Sequence, residues 1–130
     1  MANLLLELAN QLAELDWITG DGVDVFRDYK PDTPDAIVVL QEYRGSGSEW
    51  DAIGTRPIQV LVRHPSADTA RDRANLIYRF FFADKEELLE ESEVRAWYIM
   101  SPINPPFLLE RDEKERPMYV FNMIVTTTID

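Results

Sequence analysis

The spacing of hydrophobic residues changes several times along the first half of the chain, and each change predicts a boundary between secondary-structure elements. Apolar residues between Leu4 and Leu15 recur at helical spacing, which predicts an amphipathic helix that stops before Gly20. The segments "GVDVFRDY" and "AIVVLQEY" then alternate as short strands, separated by the proline-containing loop "YKPDTPD". After the glycine-rich and serine-rich segment "RGSGSEWDAIGT", a third strand is predicted from Pro57 to His64.

The second half of the chain begins with another segment in which apolar residues recur at helical spacing. Ser66 is the predicted N-cap of this helix, since serine accepts hydrogen bonds from the free N–H groups of a first turn. The residues expected to share its buried face are Ala70, Ala74, Ile77 and Phe81. Residues 84–93, "DKEELLEESE", are predicted to be helical and solvated. Three strands are then predicted at "VRAWYIMS", "PFLLERD" and "RPMYVFNMIVTTTI", with a hairpin turn that begins at Asp112.

This order, α-β-β-β-α-β-β-β, predicts a single α+β domain over residues 1–130. We expect two main helices and a sheet of about six strands that is mainly antiparallel, or else mixed. Both faces of the predicted strands are apolar: the last strand places Tyr119 and Phe121 on one side, and Val120 and Ile124 on the other. Something must therefore cover both faces, and the candidates are a folded-over sheet or a partner subunit.

Charge and composition exclude several classes of function. The net charge of −11 repels phosphate backbones and anionic lipid, so specific binding of nucleic acid is not expected. No apolar run approaches the roughly 20 residues of a membrane helix, so no membrane partner is predicted. The chain has no cysteine, which excludes disulfides and thiolate sites. The carboxylates cluster in loops and one segment, which argues against an acidic mimic of DNA.

Few residues of the sequence are candidates for catalysis or for binding a ligand or metal. The joint "HPSADT" contains no glycine, unlike a phosphate-binding turn, so we interpret it as structural and predict no catalytic residue and no cofactor. The alternative from another class is a small metal-dependent enzyme or ligand-binding α+β domain that holds a divalent ion with Asp21, Asp24 and His64. The aspartates lack the spacing of a calcium loop, and we therefore predict no metal site.

Trp50 is the most distinctive residue of the long connection between the second and third strands. Tryptophan in such a segment either folds back onto its own sheet or anchors another chain, and the sequence leaves both interpretations open. Arg44 and Arg56 bracket the segment and are candidate interface residues with Trp50.

The segments "PDAIVVLQEY", "RPIQVLVRHPSADTARDRANLIY" and "YVFNMIVTT" together resemble bacteriophage minor capsid and tail-terminator proteins, which are small α+β subunits of the head–tail junction. The resemblance spans the chain from the first helix to the last strand. It implies a non-enzymatic phage or prophage protein that assembles in the host cytoplasm and becomes part of the virion. Its copies would form a ring, typically of six, that caps the tail tube beneath the head connector. Another head-completion or minor capsid role is the alternative within this class.

The resemblance also implies places for the candidate residues. Residues 44–55 correspond to a long hairpin arm, with Trp50 as the anchor on a neighbouring subunit or the tail tube. The candidates for the lumen or rim of the ring are Glu86, Glu87, Glu90 and Glu91. Carboxylates there repel phosphate, so DNA would pass as cargo without specific binding.

Overall fold

A computed structural model describes residues 4–43, 55–82, 86–88 and 97–127 of the chain. The helices are α1 (Leu4–Leu12) and α2 (Ala67–Phe82), and the strands are β1 (Val25–Arg27), β2 (Ile37–Glu42), β3 (Thr55–Arg63), β4 (Glu86–Leu88), β5 (Trp97–Arg111) and β6 (Pro117–Thr127). Their order agrees with the predicted one as far as α2 and differs from it between α2 and β6. The α+β prediction is confirmed.

The strands form one six-stranded sheet in the order β1-β2-β3-β6-β5-β4. Four of the neighbouring pairs are antiparallel, and only β1 and β2 run parallel. The hairpin predicted at Asp112 joins β5 to β6, with the Asp112 N–H donating to the Arg116 carbonyl at 3.1 Å. The sheet is therefore mixed, with its longest strands adjacent to one another.

Both helices pack on one face of the sheet, here called the helix-covered face. α1 contacts β1 and β2, while α2 contacts β3, β5 and β6. The predicted buried face of α2 is confirmed, since its fully buried residues are Ala70, Ala74, Ile77 and Phe81. α1 ends at Leu12, earlier than predicted, because the next turn closes with tighter bonds such as the Leu15 N–H to the Leu12 carbonyl.

The joint between β3 and α2 contains the predicted helix cap. The Ser66 hydroxyl accepts a hydrogen bond from the Thr69 N–H at 3.3 Å, and the Ser66 carbonyl accepts the Ala70 N–H at 2.9 Å. Ser66 therefore caps α2. His64 contributes to the same joint, because its Nδ1 accepts the Ser66 N–H at 2.9 Å.

The opposite face of the sheet carries a second apolar cluster, which the chain itself covers. Its members are Ile37, Val39, Leu61, Met118 and Val120. Because β1 and β2 are parallel, residues 28–36 must return along the length of the sheet before β2 begins. Phe26 packs against the cluster, and the Lys30 Nζ lies 3.5 Å from the Met118 Sδ. This half of the opposite face is thus buried without a partner subunit.

Two predictions about the second half of the fold are wrong. Residues 97–111 form one strand, β5, where two strands are predicted at "VRAWYIMS" and "PFLLERD". The strand continues through irregular pairing, with register shifts between Pro102 and Asn104 and between Asn104 and Phe107. The helix predicted over residues 84–93 is also wrong at Glu86–Leu88, where the backbone pairs antiparallel with β5.

Candidate assembly surfaces

Of the three predicted interface residues, only Arg56 lies within the described part of the chain; Arg44 and Trp50 lie outside it. The guanidinium of Arg56 makes two hydrogen bonds of 2.6 Å to the Glu42 carboxylate. Such bidentate pairs are strongly oriented. This pair joins the end of β2 to the start of β3, and so it fixes the base from which residues 44–54 depart.

Two of the four predicted lumen carboxylates, Glu86 and Glu87, lie in β4. The backbone of Glu86 and Glu87 pairs with Ile99 and Tyr98 of β5 at one edge of the sheet. Glu90 and Glu91 lie outside the described residues. The backbone of Glu86 and Glu87 is thus adjacent to β5.

Three of the aspartates between α1 and β2, namely Asp21, Asp24 and Asp28, each have a structural contact. Asp21 forms a bidentate pair with Arg27 at 2.9 and 3.1 Å. Asp24 accepts the backbone N–H groups that precede it, including that of Gly20 at 2.9 Å. Asp28 accepts the Glu42 N–H at 3.1 Å. Within the described ranges, no three His, Asp or Glu side chains are grouped to hold a metal ion.

Arg63 and Arg116 are buried side chains that hold residues 31–36 against the opposite face. Arg63 donates to the carbonyls of Asp32, Pro34 and Asp35, at 2.7 to 3.2 Å. Arg116 donates to the Asp112 carboxylate at 2.8 Å and to an Asp35 carboxylate oxygen at 2.9 Å. Sequence reasoning missed this cluster, because it joins chain segments that are far apart in sequence.

The cluster shifts the pKa of its members in directions that follow from burial and charge. Burial and the neighbouring Arg116 charge lower the pKa of Arg63. Hydrogen bonding to Asp112 raises the pKa of Arg116, against the effect of burial. Burial alone would raise the pKa of Asp112, but hydrogen bonds from the Arg116 side chain and from nearby backbone N–H groups lower it to about 2. Asp112 is therefore ionised at neutral pH.

A row of amide side chains crosses the other half of the opposite face. In the register of the sheet, Gln41 lies opposite Gln59, Gln59 opposite Asn122, and Asn122 opposite Asn104, so that the row crosses four adjacent strands. The Gln59 Nε2 donates to the Asn122 Oδ1 at 3.2 Å, and the Asn122 Nδ2 donates to the Asn104 Oδ1 at 2.9 Å. The sheet is thus polar but uncharged along this row, which ends on β5.

β5 carries the main concentration of exposed apolar residues among the described residues. The β5 strip consists of Ile103, Phe107, Leu108 and Leu109, whose exposed fractions are 51%, 44%, 48% and 45%. In the described part of the chain, the outer side of β5 pairs only at residues 97–99, with β4. The sequence does offer a signal for this surface: no charged residue occurs from Ala96 to Leu109, although 28% of the chain is charged.

The other end of the sheet also exposes apolar groups. Val23 and Tyr29 flank β1 and are 55% and 64% exposed. Beside them lies an open pocket of about 380 Å³, the β1 pocket, lined by apolar and polar side chains that include Leu5, Phe26, Tyr29, Asp21 and Arg27. Since Asp21 and Arg27 are paired with each other, their charges are balanced within the pocket wall.

These features define a small α+β domain that exposes apolar groups near both ends of a mixed sheet. The family model of bacteriophage tail terminator proteins matches residues 10–129, and the chain belongs to that family. It is therefore a structural protein of the phage particle that works with head and tail components. A comparison with curated proteins finds no match. None of the described helices is long and apolar enough to cross a membrane.

Proposed function

We propose that this protein is a non-enzymatic subunit that closes the phage tail at the head–tail junction, as part of a ring made of copies of the chain. The observation that carries the proposal is the family match over residues 10–129. The ring, typically of six subunits, contacts the tail tube on one side and the head connector on the other. Assembly takes place in the host cytoplasm, and the protein remains in the virion.

The charge of the chain supports a passive role toward DNA. At a net charge of −11, the ring repels phosphate, so DNA moves through it without adhering. Glu86, Glu87, Glu90 and Glu91 are the proposed carboxylates of the lumen or rim. The backbone of Glu86 and Glu87 lies in β4, at one edge of the sheet, which supports a location of these two residues at the margin of the subunit.

Residues 44–55 form the proposed arm that reaches a neighbouring subunit or the tail tube, with Arg44 and Trp50 in the contact. Arg56 supports the arm through its pair with Glu42 at the arm's base. Trp50→Ala is expected to leave the fold intact and to weaken assembly, because a buried tryptophan is a common energetic centre of interfaces. Trp50→Phe, which keeps an aromatic ring, is the matched control. Unchanged assembly of the alanine variant would remove Trp50 from the interface.

The role in the particle is tested in the phage or prophage that encodes the protein. Particles made without the gene are expected to contain unattached heads and tails, since uncapped tails lack the surface on which heads dock. Supplying the wild-type gene in trans should restore joined particles that contain the protein. Joined, infectious particles in the absence of the protein would refute the proposed role.

A further inference from the structure

The amide row crosses a part of the opposite face that remains accessible to solvent. Gln41 is exposed, and Gln59, Asn122 and Asn104 are half-buried. The hydrogen bonds of the row run in one direction, since Gln59 donates to Asn122 and Asn122 donates to Asn104. The Asn104 Nδ2 ends the row by donating to the Pro105 carbonyl at 2.9 Å. The row is therefore an ordered feature of the sheet, fixed by side-chain bonds from β3 to β5.

The amides of the row keep hydrogen-bonding groups that their mutual bonds do not use. An amide nitrogen carries two hydrogens, and an amide oxygen has two lone pairs. Among the bonds of the described residues, Asn122 donates one hydrogen and accepts at one lone pair, so one donor and one acceptor remain. Within the same residues, the Gln41 side chain makes no hydrogen bond. The exposed side of the row thus offers both donors and acceptors on adjacent strands.

We propose that the amide row binds the backbone of an extended peptide segment, which belongs to a head or tail protein and crosses the strands of the sheet. The inference rests on the proposed function, which supplies the source of the segment. One extended residue presents its N–H and its C=O on the same side, and a single amide side chain complements both groups. Neighbouring strands lie about 4.8 Å apart, so the four amides span about 14 Å, the length of about four extended residues.

Charge favours a peptide backbone over nucleic acid as the occupant. The charged residues nearest the row on β2 and β3, Glu42 and Arg56, lie opposite residues of the helix-covered core and pair with each other. The chain has a net charge of −11, and the row itself offers no cation to a phosphate group. A peptide backbone is neutral and needs only the donors and acceptors that the row supplies.

Apolar side chains lie on both flanks of the row. On one flank, Ile124 is half-buried and lies two positions beyond Asn122 on β6. On the other flank, Phe107 lies opposite Val120 in the register and is 44% exposed. Successive side chains of an extended chain point to opposite sides, so a backbone that faces the row directs its side chains to the two flanks in turn. The bound segment is therefore uncharged and carries apolar residues.

The proposal is tested by fluorescence polarisation with short overlapping peptides that cover the tail tube and head connector proteins of the same phage. At least one peptide is expected to bind the wild-type chain. Asn122→Leu keeps the size of the side chain but removes both amide groups, and it should weaken this binding about tenfold. Asn75→Leu is the matched control, since Asn75 is half-buried on α2, and it should leave binding unchanged. If Asn122→Leu fails to fold by circular dichroism, Gln41→Leu replaces it, because Gln41 is exposed.

Methylation of single backbone nitrogens in the bound peptide provides the decisive observation. Each methyl group removes one N–H donor and leaves the side chain in place. Affinity should fall at alternate positions, where the N–H faces the row, and stay unchanged at the positions between them. A peptide set without any binder, equal binding by the row variant and wild type, an equal loss in Asn75→Leu, or an effect of methylation that does not alternate would overturn the proposal. These results concern only the peptide contact; the role at the junction is judged separately by the particles made without the gene.

Discussion

The guanidinium of Arg116 and the carboxylate of Asp112 face each other across the β5–β6 hairpin, with Nη2 2.8 Å from Oδ2. The other carboxylate oxygen accepts the backbone N–H groups of Lys114 and Arg116 at 3.0 and 2.9 Å. One aspartate therefore fixes the turn and also orients the arginine. Arg116 in turn reaches the Asp32 carbonyl at 2.7 Å, so the hairpin is connected to residues 28–36.

Asp112→Ala should destabilise the fold by about 3 kcal/mol, because it removes a partner of a buried arginine. The measurement is the free energy of unfolding in urea. Glu113→Ala is the matched control, since Glu113 is exposed in the same turn and its removal should change stability by at most about 0.5 kcal/mol. Equal effects of the two substitutions would show that the Asp112 contacts do not stabilise the fold.

The lowered pKa of Asp112 predicts how the free energy of unfolding depends on pH. Its pKa falls from 3.8 to about 2 in the folded state, so its contribution is present above pH 3.8 and is lost as the pH falls toward 2. Asp112→Asn keeps an acceptor for the backbone N–H groups but does not titrate. The stability difference between wild type and this variant should shrink as the pH is lowered from about 4 to 2. A difference that stays constant over this range would contradict the lowered pKa.

Features determined by nearby residues were predictable from the sequence. The buried face of α2 follows from helical spacing, and the Ser66 cap and the Asp112 turn follow from side chains that bond their own backbone. In each case the partners lie within a few residues of one another. The α+β class and the order of elements from α1 to α2 follow from these local signals.

Features that depend on distant partners were not predictable in this way. Arg63 lies inside the strand predicted from Pro57 to His64, but its side chain donates to carbonyl groups that are 28 and 31 positions away in the sequence. The segment Glu86–Leu88 has the composition of a helix, yet it pairs with β5. Local preference is weak over so short a segment, and pairing with a neighbouring strand overrides it. The β1 pocket likewise exists only where α1 and β1 meet.

Glu115→Gly should stabilise the protein, because Glu115 has a φ of 64° that glycine adopts without strain. The expected gain is about 0.5–1 kcal/mol, measured as the free energy of unfolding. Glu113→Gly is the matched control: it removes the same charge from the same turn at a residue without positive φ. This control should lower stability, since glycine there only adds freedom to the unfolded chain. A loss of stability in both variants would argue against strain at Glu115.

His64 predicts a second pH dependence, at higher pH than that of Asp112. Burial and the nearby Arg73 charge lower the pKa of His64 below its usual value of 6.5. The Asp35 carboxylate acts in the opposite direction, but its effect is smaller. The unfolded chain therefore binds a proton at a pH where the folded chain does not, and stability falls as the pH drops through 6.5. The neutral ring is the form that accepts the Ser66 N–H at Nδ1.

His64→Asn separates this effect from the titration of the carboxylates, because asparagine offers an acceptor in place of Nδ1 and stays neutral. Between about pH 7.5 and 5.5, wild type should lose stability relative to the variant, as measured by urea unfolding at both pH values. If wild type instead gained stability relative to the variant on acidification, the pKa of His64 would be raised in the fold, and a nearby carboxylate would outweigh burial and Arg73. A pH-independent difference would mean that the joint between β3 and α2 leaves the imidazole solvated.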